Sequence, residues 1–156
     1  MSKSKAIPTF ADPARGPVLS VRSVVALVLV VLGIAWMAYY YVAVRVDPTA
    51  LDPGDPGSPK FMADLGGWNY AIGFGALLLG LAISAHPSTP LGRGQGVVIG
   101  MLGCFVIGLI WICTFYVFSD SADTGGIPIM NDLGQKNLFV GIGFMAIGFT
   151  FATRWE

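Results

Sequence analysis

Few residues of this 156-residue chain are of the kinds that do chemistry. Its one histidine, His86, ends an apolar run just before Pro87, so there is no His pair for a haem and no His–carboxylate cluster for zinc. It reads as an interfacial residue closing a helix. Cys104 and Cys113 share one apolar stretch; at about 100° and 1.5 Å per residue they fall on opposite faces of a helix, about 13 Å apart along its axis. They cannot pair as a disulfide, and both read as buried, unreactive packing thiols. Neither a Gly-x-Ser-x-Gly elbow nor a P-loop occurs. No catalytic residue, metal ligand or cofactor is expected, and the chain reads as a non-enzyme.

What remains is the chemistry of contact. Gly73, Gly75 and Gly80, with Ala71 and Ala76, place small residues four apart on one stretch, and Gly96 and Gly100 do so on another. Such spacing lets helix backbones approach closely where lipid removes the hydrophobic drive between them. It serves internal packing first, and a partner groove or self-association second. Trp36, Tyr39, Tyr40, Tyr41, Trp68 and Tyr70 cluster where apolar runs end or begin, the positions of an interfacial aromatic belt. Asn69 and Asn137 sit just inside that belt, where an amide needs a partner, and each is expected to bond across its own helical hairpin. Lys3, Lys5, Arg15 and Arg22 form a basic tail suited to tethering at an anionic inner leaflet.

The elements that must carry these residues can be read from composition. Charged residues make up 12% of the chain, against about 25% in soluble domains, and the mean hydropathy is +0.71. A chain this short cannot hide so much apolar surface from water. Membrane lipids are therefore its solvent, and a net charge of zero argues against a nucleic-acid partner. Four runs without a charged residue, at 24–44, 68–85, 97–118 and 138–153, each read as a transmembrane helix. The first is too long for a signal-peptide core and leads straight into Arg45 with no cleavage site, so it is expected to stay attached. None of the runs holds an Asp, Glu, Lys, Arg or His, which argues against a pump, proton-coupled carrier or voltage sensor.

The cations set the orientation. Lys3, Lys5, Arg15, Arg22, Arg93 and Arg154 lie on one side, while Arg45, Lys60 and Lys136 lie on the other among seven aspartates. Both termini and the middle loop are thus expected in the cytoplasm of a multi-pass plasma-membrane protein. The first outer loop, with four prolines and two glycines between residues 47 and 60, is expected to be extended.

The chain also resembles itself. A shift of 68 lays Met62, Asp64, Leu65, Gly66, Asn69, Gly73, Gly75 and Gly80 on Met130, Asp132, Leu133, Gly134, Asn137, Gly141, Gly143 and Gly148. A shift of 75 lays Leu27, Val31, Gly33, Trp36, Tyr41 and Val42 on Leu102, Val106, Gly108, Trp111, Tyr116 and Val117. The expected fold is all-α: a basic tail (1–23), one helical hairpin (24–86), a cytoplasmic linker (87–96) and a second hairpin (97–156). Two spans per unit put both hairpins the same way up, as parallel repeats.

Met-Ser-Lys-Ser-Lys at the start, Gly108-Leu109-Ile110-Trp111, Leu65-Gly66-Gly67-Trp68-Asn69-Tyr70-Ala71-Ile72 and the terminal Arg154-Trp155 together resemble the CrgA family. These are small actinobacterial cell-division membrane proteins with a basic cytoplasmic tail and two spans, so the chain is similar to a tandem CrgA. The second unit departs from the motif, reading Gln135-Lys136-Asn137-Leu138. The resemblance implies a divisome adaptor at the septum, coupling the FtsZ ring to FtsQ and to FtsI-type penicillin-binding proteins that build septal peptidoglycan. The candidates for helix packing or partner contact, read from the residues themselves, are Trp36, Trp68, Asn69, Tyr70, Gly73, Gly75, Gly80, Gly108, Trp111, Asn137, Gly141, Gly143 and Gly148. A different reading is an accessory structural subunit of a respiratory or transport complex, because inert helices suit either task.

Overall fold

The computed structural model describes residues 19–46, 54–118 and 127–154, and all regular structure within them is helical. Lys3, Lys5, Arg15, the aspartates at 47, 52, 120 and 123, and Trp155 lie outside the described residues. Helix α1 (Val21–Tyr39) continues through a π-helical turn, Tyr40–Val44. A short α2 (Lys60–Leu65) precedes α3 (Trp68–Ser84); α4 (Gln95–Phe118) is the longest; a four-residue α5 (Met130–Leu133) leads through a 3₁₀ turn into α6 (Asn137–Ala152).

These sequences form helices despite many β-branched residues, because a helix satisfies every backbone group internally and lipid offers no alternative donor or acceptor. Val21–Val44 and Gln95–Phe118, 24 residues each, are long and apolar enough to cross a membrane. The shorter α3, 17 residues, packs along α1, and α6, 16 residues, packs along α4. Contacts between α3 and α6 join the two pairs.

Helix α1 starts earlier than its charge-free run. Ser20 accepts a hydrogen bond from the Ser23 amide at 3.1 Å, and Ser23 Oγ accepts one from the Ser20 amide at 2.8 Å. This reciprocal cap fixes the start at Val21 and draws Arg22 out of the tail into the first helical turn.

Glycine sets the helix crossings. A Cβ on Gly33 would stand 2.5 Å from the Gly73 carbonyl oxygen, and one on Gly108 would stand 2.6 Å from that of Gly141. Gly73 lies against Met37 and Gly141 against Ile112, a residue exchanged by the same shift of 75. Nearer the opposite end of the bundle, Gly80 meets the Ala26 carbonyl, Gly100 the Phe151 ring and Gly148 the Phe105 ring. One core cluster, including Met37, Tyr40, Tyr70, Phe74, Leu133 and Phe144, draws on both helix pairs; a smaller one of Ala85, Val97, Cys104 and Phe151 fills that opposite end. Cys104 is buried as expected, but Cys113 is exposed, since only one face of α4 is covered by α6.

The segment between the pairs is a stitched turn. Thr89, 1% exposed, donates from Oγ1 to the carbonyls of Ser84 (2.5 Å) and His86 (2.8 Å), and the Gly92 amide donates back to it at 3.1 Å. Gly92 and Gly96 press on the backbone of His86 and Pro90, where a side chain would not fit.

Candidate functional site

The polar residues gather at the end of the bundle where α1 finishes. The π turn at Tyr40–Val44 widens the last turn, and the Arg45 amide donates to the Tyr40 carbonyl at 2.8 Å. Inserted turns of this kind change the direction of the residues after them. Arg45 thereby leaves the helix and reaches Asp132, 87 residues along the chain. Its Nη2 donates to Asp132 Oδ1 at 2.7 Å, and its Nε meets Oδ2. Tyr70 Oη donates to Asp132 Oδ2 at 2.6 Å.

Aromatic rings enclose the pair. The guanidinium lies 4.7 Å from the centroid of Tyr41, and Tyr40 meets Tyr70 edge-on at 5.2 Å. The two charged side chains are only 14% and 13% exposed, so their hydrogen bonds form with little competition from solvent. Because the Asp132 oxygens already receive Arg45 and Tyr70, this carboxylate is built to join the helix pairs. Among the described residues no group of three or more His, Cys, Asp or Glu side chains is placed to hold a metal.

Beside this joint a cavity of about 560 Å³ opens between α3 and α6, walled by Trp68, Phe74, Gly75, Phe139 and Val140, with Lys136 at its edge. Gly75 faces it with open space where a Cβ would be, whereas Gly143, one shift of 68 away, packs on Leu78. The same shift lays Leu78 on Ala146, so the second half has no leucine at the corresponding position.

The asparagines behave otherwise than the sequence suggests. Asn69, fully buried, donates from Nδ2 to the Met62 carbonyl at 2.7 Å and the Gly66 carbonyl at 2.8 Å. Asn137 donates to Met130 and Gly134 at the same two distances. Each closes the turn leading into its own helix and makes no bond across a hairpin, because the preceding short helix brings carbonyls nearer than the facing helix does. Gly66 and Gly134 permit that turn, both with φ of +50°.

The aromatic belt divides. Trp68 at 73% exposure and Tyr39 at 50% face outward, while Tyr40 and Tyr70 are buried in the joint. Trp36 stacks obliquely on Phe61, and Trp111 meets Phe74 edge-on at 5.4 Å. Gly73, Gly80, Gly108, Gly141 and Gly148 serve packing within a helix pair, Gly143 packs between pairs, and Gly75 alone of this set faces the cavity. Arg22 lies at the opposite end, against His86.

Sequence reasoning counted Arg45 and Asp132 only as loop charges and missed their pairing. It also left α2 and α5 as loop. Pro59 followed by apolar residues at 61, 62 and 65 is the signal that marks α2.

The family model for cell division protein CrgA matches residues 3–86 and 91–156. Cell division protein CrgA of Streptomyces avermitilis is 45% identical over 56 residues, 36% of this chain and 60% of that protein. Its counterpart in Corynebacterium glutamicum strain R is 36% identical over 61 residues, 39% of this chain and 54% of the relative. The protein of the same description from Mycobacterium sp. strain KMS is 39% identical over 57 residues, 36% of this chain and 54% of the relative. The matched stretch thus spans a little over half the length of these curated relatives. No solved structure matches. Matched on both sides of the Thr89 turn and not over a fragment alone, the chain belongs to the CrgA family of cell division proteins.

Proposed function

We propose that the protein is a non-enzymatic adaptor of the cell-division machinery, built as two fused CrgA-type hairpins that cross the plasma membrane four times. The observation that carries this reading is the family match on both sides of the Thr89 turn. The paired glycine crossings, Gly33 with Gly73 and Gly108 with Gly141, support the duplication. In this reading both termini and the Thr89 turn are cytoplasmic, and the Arg45–Asp132 joint lies at the outer interface. Helices α3 and α6 are short for a full crossing and reach it by local thinning and snorkelling of flanking Lys136 and Arg154.

The adaptor links the FtsZ ring, through the basic tail of Lys3, Lys5 and Arg15, to FtsQ and to FtsI-type penicillin-binding proteins. Single-pass helices of those partners are held at the cavity between α3 and α6, where Trp68, Phe139 and Gly75 offer an apolar wall. The tagged protein, purified from native membranes in mild detergent, should enrich these partners over an unrelated four-span control. Stoichiometric recovery of oxidase or transporter subunits instead would overturn the adaptor role. Alkaline phosphatase fused after Leu51 should be active and fused after Arg93 inactive; the reverse pattern would overturn the orientation.

A further inference from the structure

At the end of the bundle remote from Arg45, two arginines and a histidine from three helices edge one groove. Arg22 in the first turn of α1, His86 just past α3 and Arg154 just past α6 rim a space of about 410 Å³ whose apolar wall includes Val25, Ala82 and Ile83. Among the described residues no acid lines it; the described acids, Asp55, Asp64 and Asp132, belong to segments at the other end of the helices. Arg22 Nη1 lies 2.7 Å from His86 Nε2, and His86 Nδ1 lies 2.9 Å from Ser88 Oγ and 3.1 Å from the Ser88 amide nitrogen. A neutral imidazole leaves the guanidinium charge uncompensated. Partial desolvation and the nearby Arg22 and Arg154 lower the His86 pKa, which favours the uncharged ring.

Two guanidiniums above an apolar wall have a specific complement, an anion with a hydrocarbon body. A planar guanidinium fork matches phosphate oxygens, and basic pockets between membrane helices on the cytoplasmic side suit lipid headgroups. An inorganic anion would satisfy the arginines and leave the apolar wall unused.

We propose that this groove holds one anionic phospholipid of the inner leaflet, its phosphate between Arg22 and Arg154 and an acyl chain along Val25, Ala82 and Ile83. Arg22 belongs to the first hairpin and Arg154 to the second, so the lipid clamps the hairpins at this end as Arg45 and Asp132 do at the other. The inference rests on the four-span reading with cytoplasmic termini, which the phosphatase fusions check separately; cytoplasmic termini with no lipid preference would sink the site alone.

The test is native mass spectrometry of the full-length protein in detergent, titrated with phosphatidylglycerol or phosphatidylcholine of matched chains. The first phosphatidylglycerol should bind about tenfold more tightly than phosphatidylcholine, as expected for two arginines at a headgroup. R22Q/R154Q should abolish the preference with helical content retained, and K60Q, at the other end, should keep it. Equal affinities in the wild type, or an undiminished preference in the folded double variant, would overturn the proposal. Displacement of the lipid by millimolar inorganic phosphate would assign the site to a free anion and overturn it too. If the double variant does not fold, the wild-type His86 ring resonances decide: they should shift with phosphatidylglycerol and not with phosphatidylcholine, and no difference between the lipids rejects the site.

Discussion

Asn69 and Asn137 show how much one amide holds in a lipid-facing fold. Each places two donors on two carbonyls at 2.7 and 2.8 Å, with the side chain fully buried. Replacing either by Ala leaves buried carbonyls without those donors, at a cost of about 1–3 kcal/mol. N69A and N137A should therefore each lower the unfolding midpoint in detergent, and N69D, which removes both donors at similar size, should do the same. His86 offers a second residue-scale test, since the chain has no other histidine to confuse its signals. Its folded-state pKa is pushed below the ordinary 6.5 by partial desolvation, Arg22 and Arg154. The folded protein then binds fewer protons than the unfolded chain in that window, so stability declines as pH falls through it. NMR titration should give a midpoint below 6.5 that rises in R22Q, because removing a cation favours imidazolium. An ordinary midpoint unmoved by R22Q would contradict the Arg22 contact. None of this local geometry was legible from spacing. The sequence marks Asn69 as a polar residue needing a partner, but the partner lies on α2, whose six residues are too few to show a period.

At the scale of elements, the long helices were legible and so were most of their ends, the largest difference being the start of α1 at Val21, three residues ahead of its charge-free run. A charge-free run identifies α1, α3, α4 and α6, since only a helix keeps such a run hydrogen-bonded in lipid. The boundaries depend on particular groups: the Ser20–Ser23 cap starts α1 ahead of its apolar run, and the π turn carries it on to Val44. The glycines rank themselves by what they touch. G33L and G108L place a side chain on a facing carbonyl and should cost at least about 1–3 kcal/mol through overpacking, read as a lower unfolding midpoint in detergent. G75L meets open space and should leave that midpoint unchanged. In a membrane two-hybrid assay G75L should nonetheless weaken partner association by filling the cavity; full retention would move the partner surface elsewhere.

For the whole molecule, the decisive contact is the one that periodicity could not supply. Hydrophobic patterning locates Arg45 and Asp132 in loops, and the shift of 68 equates Asp132 with Asp64, yet neither says that Arg45 crosses to the other helix pair. The joint is one-sided: the positions that correspond to Arg45 and Tyr70 in the second half are Asp120 and Leu138. A double-mutant cycle over R45A and D132N should give a coupling energy of about 0.5–3 kcal/mol, the range for directly bonded neighbours. The charge swap R45D/D132R should recover part of what either single reversal loses. Additive single effects would mean that the pair does not hold the halves together.

The stitched turn at Thr89 bears on gene dosage. Two separate hairpins meet at a rate set by their surface density in the membrane, so the paired fraction rises and falls with expression. Hairpins joined by about ten residues hold each other at an effective concentration in the millimolar range, whatever the copy number. Expression then sets how many paired hairpin units a cell contains and no longer what fraction of the hairpins is paired.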